Sequence, residues 1–112
     1  MEFTTYYVML LRKGPAWTAE PSPTLEALIV RHMQYLQQLR EAGKTLASGP
    51  VKDGSDLHGV SIYCTATLEE AQALAHADPA IQAGHFAVEL HPWFTPAGQL
   101  PAPETKRFCT NS

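Results

Sequence analysis

Residues 22–43 have the sequence SPTLEALIVRHMQYLQQLREAG, and this stretch decides the fold of the 112-residue chain. Its apolar side chains recur every three or four positions, which predicts a helix over residues 24–42 with one face against a sheet. Ser22 and Pro23 suit the cap and the first turn of that helix, and Gly43 suits its left-handed end. The inward-facing positions are Leu25, Leu28, Ile29, His32, Leu36 and Leu39.

The histidine at position 32 stands where this apolar face would normally carry a leucine. An imidazole held away from water can be tuned for proton transfer near neutral pH, so His32 is the leading catalytic candidate. Two structural interpretations stay open from the spacing alone: a core histidine bonded to a backbone carbonyl, or a histidine at a dimer interface. A catalytic role therefore requires a partner for the ring.

The rest of the chain predicts one more helix and four strands. The stretch Thr67-Leu68-Glu69-Glu70 has the form of a capping box, in which the Thr67 hydroxyl and the Glu70 carboxylate each satisfy a free amide at a helix start. The order strand-helix-strand-strand-helix-strand predicts an α+β, ferredoxin-like βαββαβ fold: a four-stranded antiparallel sheet with both helices on one face. The expected strands are residues 3–11, 44–51, 59–64 and 84–93.

We expect the second face of this sheet to be covered by another copy of the chain. The strands carry Tyr6, Tyr7 and Tyr63 besides phenylalanine and valine, which is more apolar surface than two helices can hide. A large uncovered apolar face usually marks an interface, and most homo-oligomers are symmetric dimers. The sequence therefore predicts a homodimer.

Length, charge and cysteine content indicate one small domain that binds neither nucleic acid nor membrane. The formal net charge is −3 and the eight Lys and Arg residues are scattered, unlike a nucleic-acid surface. No apolar run approaches the roughly 18 residues of a bilayer span, and the N-terminus lacks the features of a secretory signal. Cys64 and Cys109 have no metal-type spacing, which favours a reduced, cytoplasmic protein with Cys64 in the core. We expect residues 1–94 to form the domain and the proline-rich residues 95–112 to form a tail.

Asp78 is the best candidate partner for His32. Followed by Pro79, with Gly84 as the exit, it has the pattern of the N-cap of one short helical turn. That capping role alone is enough to explain why an aspartate stands at position 78. The two roles are nevertheless compatible, because amides at a helix start favour an ionised carboxylate, and such a carboxylate can orient an imidazole that acts as a general base.

These residues give the chain a resemblance to the YciI-like (YCII-related) family of the dimeric α+β barrel superfamily. The resemblance covers residues 3–94, and its specificity comes from the order and spacing of several stretches rather than from any one motif. It implies an active-site histidine and aspartate, which fall on His32 and Asp78. It also implies cofactor-free chemistry on small, often ring-derived acids, such as dehydrochlorination or isomerisation. The matching stretches are residues 6–10, 32–36, 42–43 with 49–50, 78–79, 83–84 and 89–93.

The function expected from sequence is proton-transfer catalysis, without a cofactor or a metal, on a small carboxylic acid or lactone. His32 would be the base and Asp78 its orienting partner, in a pocket between the first helix and the sheet. The substrate-binding candidates are Tyr6, Tyr7, Trp17 and Ser48. The alternative is a non-catalytic dimer that binds a small molecule or accompanies another protein.

Other potential sites receive less support from the sequence. His85 and His91 share a strand face with Glu89 between them, but they are too far apart on one strand to share a metal unaided. His58 and His76 are expected at a turn and on a helix surface, and Cys64 has no basic neighbour to activate it.

Overall fold

The computed structural model describes residues 1–101 and shows the expected order of elements. A short third helix, in addition to the two long ones, occupies the turn that begins at Asp78. The elements are β1 (Phe3–Lys13), α1 (Pro23–Glu41), β2 (Thr45–Pro50), β3 (Leu57–Tyr63), α2 (Leu68–His76), α3 (Pro79–Gln82) and β4 (Phe86–Pro96).

The four strands form one sheet in the order β2-β3-β1-β4, and every neighbouring pair is antiparallel. In this sheet β1 is central, with Tyr7 opposite Tyr63 of β3 and opposite Pro92 of β4. The α+β fold with a four-stranded antiparallel sheet, predicted from the element order, is confirmed.

The helix ends show why the local sequence folds as it does. The Ser22 hydroxyl accepts a hydrogen bond from the Leu25 amide at 3.0 Å, and Gly43 has a φ of 74° just past α1. At α2 the Thr67 hydroxyl accepts from the Glu70 amide, as the capping box predicts. The Glu70 carboxylate differs slightly from that expectation, because it accepts from the Ala66 amide rather than from the cap residue itself.

The core lies between one face of the sheet and the helices. Strand β1 contributes Tyr7, Met9 and Leu11, which alternate along the strand and therefore share a face. Helix α1 contributes Leu28 and Leu39 to the same cluster. The small residues Ala71, Ala75 and Ala80 on α2 and α3 are fully buried, which lets these helices pack close.

The opposite face of the sheet carries a cluster of partly exposed apolar side chains. Val8 lies opposite Ile62, and Leu10 lies opposite Val60, across the β1–β3 pair. On the other side of β1, the Arg12 Nε donates to the Glu89 carboxylate at 2.6 Å. The same carboxylate lies 2.7 Å from a ring nitrogen of His91, so the charges on this face are paired within the chain.

Strand β4 runs through Thr95 and Pro96, two residues beyond the boundary expected for the domain. Residues 102–112 of the expected tail, with Cys109, lie outside the described residues. Cys64 is buried, as expected, but it lies directly after β3 rather than within it, and it is disulfide-bonded rather than reduced. Among residues 1–101, no helix is both long enough and apolar enough to cross a bilayer. The cytoplasmic location stays a prediction from the sequence.

Candidate active site

His32 and Asp78 form a buried hydrogen-bonded pair, although 46 positions separate them in the sequence. The His32 Nδ1 lies 2.6 Å from Asp78 Oδ2, and the two side chains are only 7% and 3% exposed. A carboxylate can only accept, so Nδ1 carries the proton and donates it. The other ring nitrogen, Nε2, is then the basic one, and it makes no hydrogen bond to the described residues.

Asp78 holds its position because each carboxylate oxygen has a separate partner. While Oδ2 accepts from His32, Oδ1 accepts from the Ala80 amide at 2.9 Å, the N-cap contact of α3. Pro79 occupies the first position of this helix, where its missing amide costs nothing. The aspartate therefore caps a helix and orients an imidazole at the same time.

Two tyrosines enclose the Asp78 end of the pair. Tyr63 is 1% exposed, and burial raises the pKa of its hydroxyl, with smaller contributions from Tyr35 and the Asp78 charge. Burial, followed by the Asp78 charge, also raises the pKa of Tyr35, whose hydroxyl donates to the Leu74 carbonyl at 2.6 Å. Both hydroxyls therefore stay neutral near pH 7 and add no charge beside the Asp78 carboxylate.

The histidine end of the pair faces a cavity of about 350 Å³ between α1 and the sheet. This volume is within the range typical of small-molecule sites, and most of the wall is apolar. The polar and charged side chains on the wall are His32, Gln37, Arg40, Ser48, His58 and Ser61. The apolar side chains are Met9, Leu11, Ile29, Met33, Leu36, Pro50 and Phe86.

Of the four substrate-binding candidates, the structure brings Ser48 to this cavity. The Ser48 and Ser61 hydroxyl oxygens are 2.7 Å apart, so one donates to the other and a hydroxyl hydrogen is left for another acceptor. Tyr7 is a core residue instead. Tyr6 lies on the other face of the sheet, where its ring packs 6.4 Å from that of Trp93. Trp17 lies near the site but does not line the cavity.

His58 lines the cavity, which the sequence did not predict. Strict alternation along β3 would place it with Val60 and Ile62 on the opposite face. The pairing register shifts here: Leu11 lies opposite Gly59, but Arg12 lies opposite Leu57, so His58 is an extra residue in a β-bulge. Bulges re-aim side chains and are common beside active sites. The expectation of a turn residue was wrong because β3 begins at Leu57, before the start at residue 59 that the sequence predicted.

The loop after β1 packs against the same region through a close backbone contact. The Gly14 amide donates to the His85 carbonyl at 2.9 Å, and the Ala16 amide donates to the Gly84 carbonyl at 2.8 Å. This places the Trp17 ring 6.2 Å from the His85 ring in a stacked arrangement. Burial, with smaller contributions from two neighbouring histidines, lowers the pKa of His85, which therefore stays neutral near pH 7.

The other histidines do not join this group. His91 is exposed and bonded to Glu89, whereas His85 is buried beside Phe86, so the two lie in different environments. His76 is exposed on α2, as expected, with Nδ1 2.8 Å from the Gln72 carbonyl. No group of three His, Cys, Asp or Glu side chains suited to a metal occurs within residues 1–101.

The fold and the buried pair define a small α+β domain with a His–Asp dyad at an apolar cavity. A sequence profile of the YCII-related domain matches residues 5–93, most of the chain. The protein therefore belongs to the YCII-related domain family, as the resemblance in the sequence predicted.

Among solved structures, the chain is similar to 5-chloro-2-hydroxyhydroquinone dehydrochlorinase from Burkholderia phenoliruptrix AC1100 in complex with 2,5-dihydroxybenzoquinone. The TM-score is 0.54 and the sequence identity is 22%, with 79% of this chain and 92% of that chain covered. At this identity the likeness shows the fold alone. No curated protein matches the chain significantly.

Proposed function

We propose that this protein is a cofactor-free lyase or isomerase, similar to a dehydrochlorinase, that moves a proton on a small carboxylic acid or lactone. The observation that carries the proposal is the hydrogen bond from His32 Nδ1 to Asp78 Oδ2, since it leaves Nε2 as a base on a ligand-sized cavity. An oriented imidazole at such a cavity has the geometry that general-base catalysis requires.

In the proposed reaction, His32 Nε2 takes a proton from a substrate carbon next to a carbonyl or an enone. The C–H bond breaks, an N–H bond forms, and the electron pair moves onto the conjugated oxygen. Asp78 stabilises the imidazolium that results, because its carboxylate already accepts from Nδ1. The electron pair then expels a leaving group from a neighbouring carbon, or the proton returns to a different carbon; the first outcome is a lyase and the second an isomerase.

The composition of the cavity wall supports a small substrate that carries hydrogen-bond acceptors. The His58 imidazole and the hydroxyls of Ser48 and Ser61 lie on the wall. These groups can donate hydrogen bonds to the oxygens of a carboxylate or a lactone, and the apolar majority of the wall favours a small hydrocarbon body. The similar dehydrochlorinase was solved with a quinone, which is also a small conjugated ring compound.

Replacing His32 with glutamine tests this function. Glutamine is polar and uncharged, like the neutral imidazole, but its amide is not a base, so we expect proton abstraction to fall by about 10²–10⁴-fold while the fold persists. Carboxylic acids and lactones that raise the melting temperature would be incubated in D₂O, and deuterium entering the substrate carbon would be followed by NMR. His76→Gln is the matched control, since it makes the same change at an exposed position.

Equal deuterium exchange by the wild type and by His32→Gln would refute the proposed base. If compounds bind but none exchanges or turns over with the wild-type protein, the non-catalytic alternative, a small-molecule-binding protein, takes its place. Fold alone does not separate these two functions, so the exchange rate is the deciding measurement.

We also propose that two copies associate through the face of the sheet opposite the helices. The apolar cluster Val8, Leu10, Val60 and Ile62 supports this proposal, together with the pairing of the nearby charges within each chain.

Leu10→Lys would bring an ammonium group onto this face beside Glu89, its neighbour on β4, so the monomer keeps its fold. We expect sedimentation to give the mass of two chains for the wild type and of one chain for Leu10→Lys. Gln34→Lys on exposed α1 is the control, and a wild-type monomer would contradict the proposal.

A further inference from the structure

His58 has a buried ring nitrogen without a partner. Its Nε2 is shielded from solvent and makes no hydrogen bond, one of two such side-chain atoms among the described residues. Burying a polar group unpaired costs about 1–3 kcal/mol, so such groups are rare and call for an explanation. The ring also lines the cavity that His32 faces.

The surroundings of the ring are aromatic on two sides. Trp17 lies 5.6 Å and Phe86 lies 5.9 Å from His58, both tilted, as measured between ring centroids. Phe86 also lies 5.4 Å from the His32 ring, so one aromatic side chain separates the two imidazoles. Neither Trp17 nor Phe86 has a hydrogen-bond acceptor in the plane of its ring. The bulge in β3 therefore places His58 where Nε2 has no hydrogen-bond partner among the described residues.

We propose that His58 is a substrate-binding residue, which donates a hydrogen bond to the substrate oxygen that gains charge when His32 removes the proton. This inference rests on the proposed function for the identity of that oxygen, but the binding contact itself can be tested without turnover. The unpaired nitrogen then lowers the stability of the free protein, and the hydrogen bond to the substrate removes this penalty in the complex. An N–H aimed at a developing oxyanion is a recurrent means of stabilising an enolate.

The contact requires a rotation of the ring, because Nε2 is closed off while Trp17 and Phe86 enclose it. Rotation about the Cβ–Cγ bond of histidine has broad minima, so a ring nitrogen can turn toward the cavity at little cost. The ligand class that fits is a small conjugated anion whose oxygen accepts from His58 and whose body lies against the apolar wall.

The test compares binding of benzoate, a planar carboxylate, to the wild type and to two His58 variants. His58→Phe keeps the aromatic packing and removes both nitrogens; His58→Gln keeps an amide donor near the position of Nε2. We expect benzoate to bind His58→Phe at least about tenfold more weakly than the wild type, and His58→Gln in between. We expect the melting temperature of His58→Phe to equal or exceed that of the wild type, since the unpaired nitrogen is gone.

Two results would overturn the inference: His58→Phe binding benzoate as tightly as the wild type, or the wild-type protein failing to bind benzoate at millimolar concentration. If His58→Phe fails to fold, wild-type affinity together with full stability in His58→Ala would overturn it equally. Binding is measured here and proton exchange in the His32→Gln experiment. If His32→Gln exchanges deuterium as fast as the wild type while His58→Phe still binds benzoate more weakly, the proposed base has failed and the binding role of His58 has not.

Discussion

Replacing Asp78 with asparagine is expected to leave the fold intact and to reduce turnover by roughly 10³–10⁴-fold, as expected when an orienting carboxylate behind a catalytic histidine becomes an amide. The side-chain oxygen of the new asparagine can still accept from the Ala80 amide, so the cap of α3 survives. Its side-chain nitrogen takes the place of Oδ2 and donates to His32 Nδ1. The imidazole proton must then move to Nε2, which can no longer accept a proton from a substrate.

Three measurements check this prediction. Nitrogen NMR of the imidazole reports which ring nitrogen carries the proton, deuterium exchange reports the chemistry, and thermal unfolding reports the fold. The matched control is Asp53→Asn, because the Asp53 carboxylate also accepts from an amide two residues later, at Ser55, in an exposed turn. A variant with the proton on Nε2 and wild-type exchange would show that His32 is not the base.

The His32–Asp78 pair could be predicted from sequence because each member has a local signature. The three-to-four spacing of α1 places His32 inward, and an Asp-Pro pair at a turn predicts a helix cap. Periodicity says nothing about which inward residues meet across 46 positions, so the capping pattern made Asp78 only a candidate partner, and the family resemblance strengthened that assignment. The structure confirms that the two side chains touch.

The rest of the cavity could not be predicted, for two physical reasons. The side to which a strand residue points depends on an unbroken register, and the bulge at His58 breaks it. Alternation did separate Tyr6 from Tyr7, but it did not say which of them lay on the helix side. The position of Trp17 depends on a tertiary backbone contact between two loops, of which the local sequence gives no sign.

Gly14 is the residue on which that contact depends, and Gly14→Ala is expected to lower the free energy of unfolding by about 3 kcal/mol. A Cβ at position 14 would lie 2.2 Å from the Gly84 carbonyl oxygen and 2.8 Å from the Phe86 carbonyl carbon. Both neighbours are backbone atoms, so no side chain can move aside. The chain must separate at the hydrogen bond from the Gly14 amide to the His85 carbonyl. Denaturant unfolding measures the loss.

The same separation should reach the candidate site, because Phe86 begins β4 and its ring packs against the His32 and His58 rings. We therefore expect Gly14→Ala to weaken benzoate binding as well as to destabilise the chain. Gly49→Ala is the matched control for stability: Gly49 has no atom within 4 Å of an added Cβ, so its free energy of unfolding should change by less than about 1 kcal/mol. Equal stability of the two variants would mean that the loop yields without strain. In that case, the close approach of residues 14 and 84 does not fix the position of Phe86 against His32 and His58.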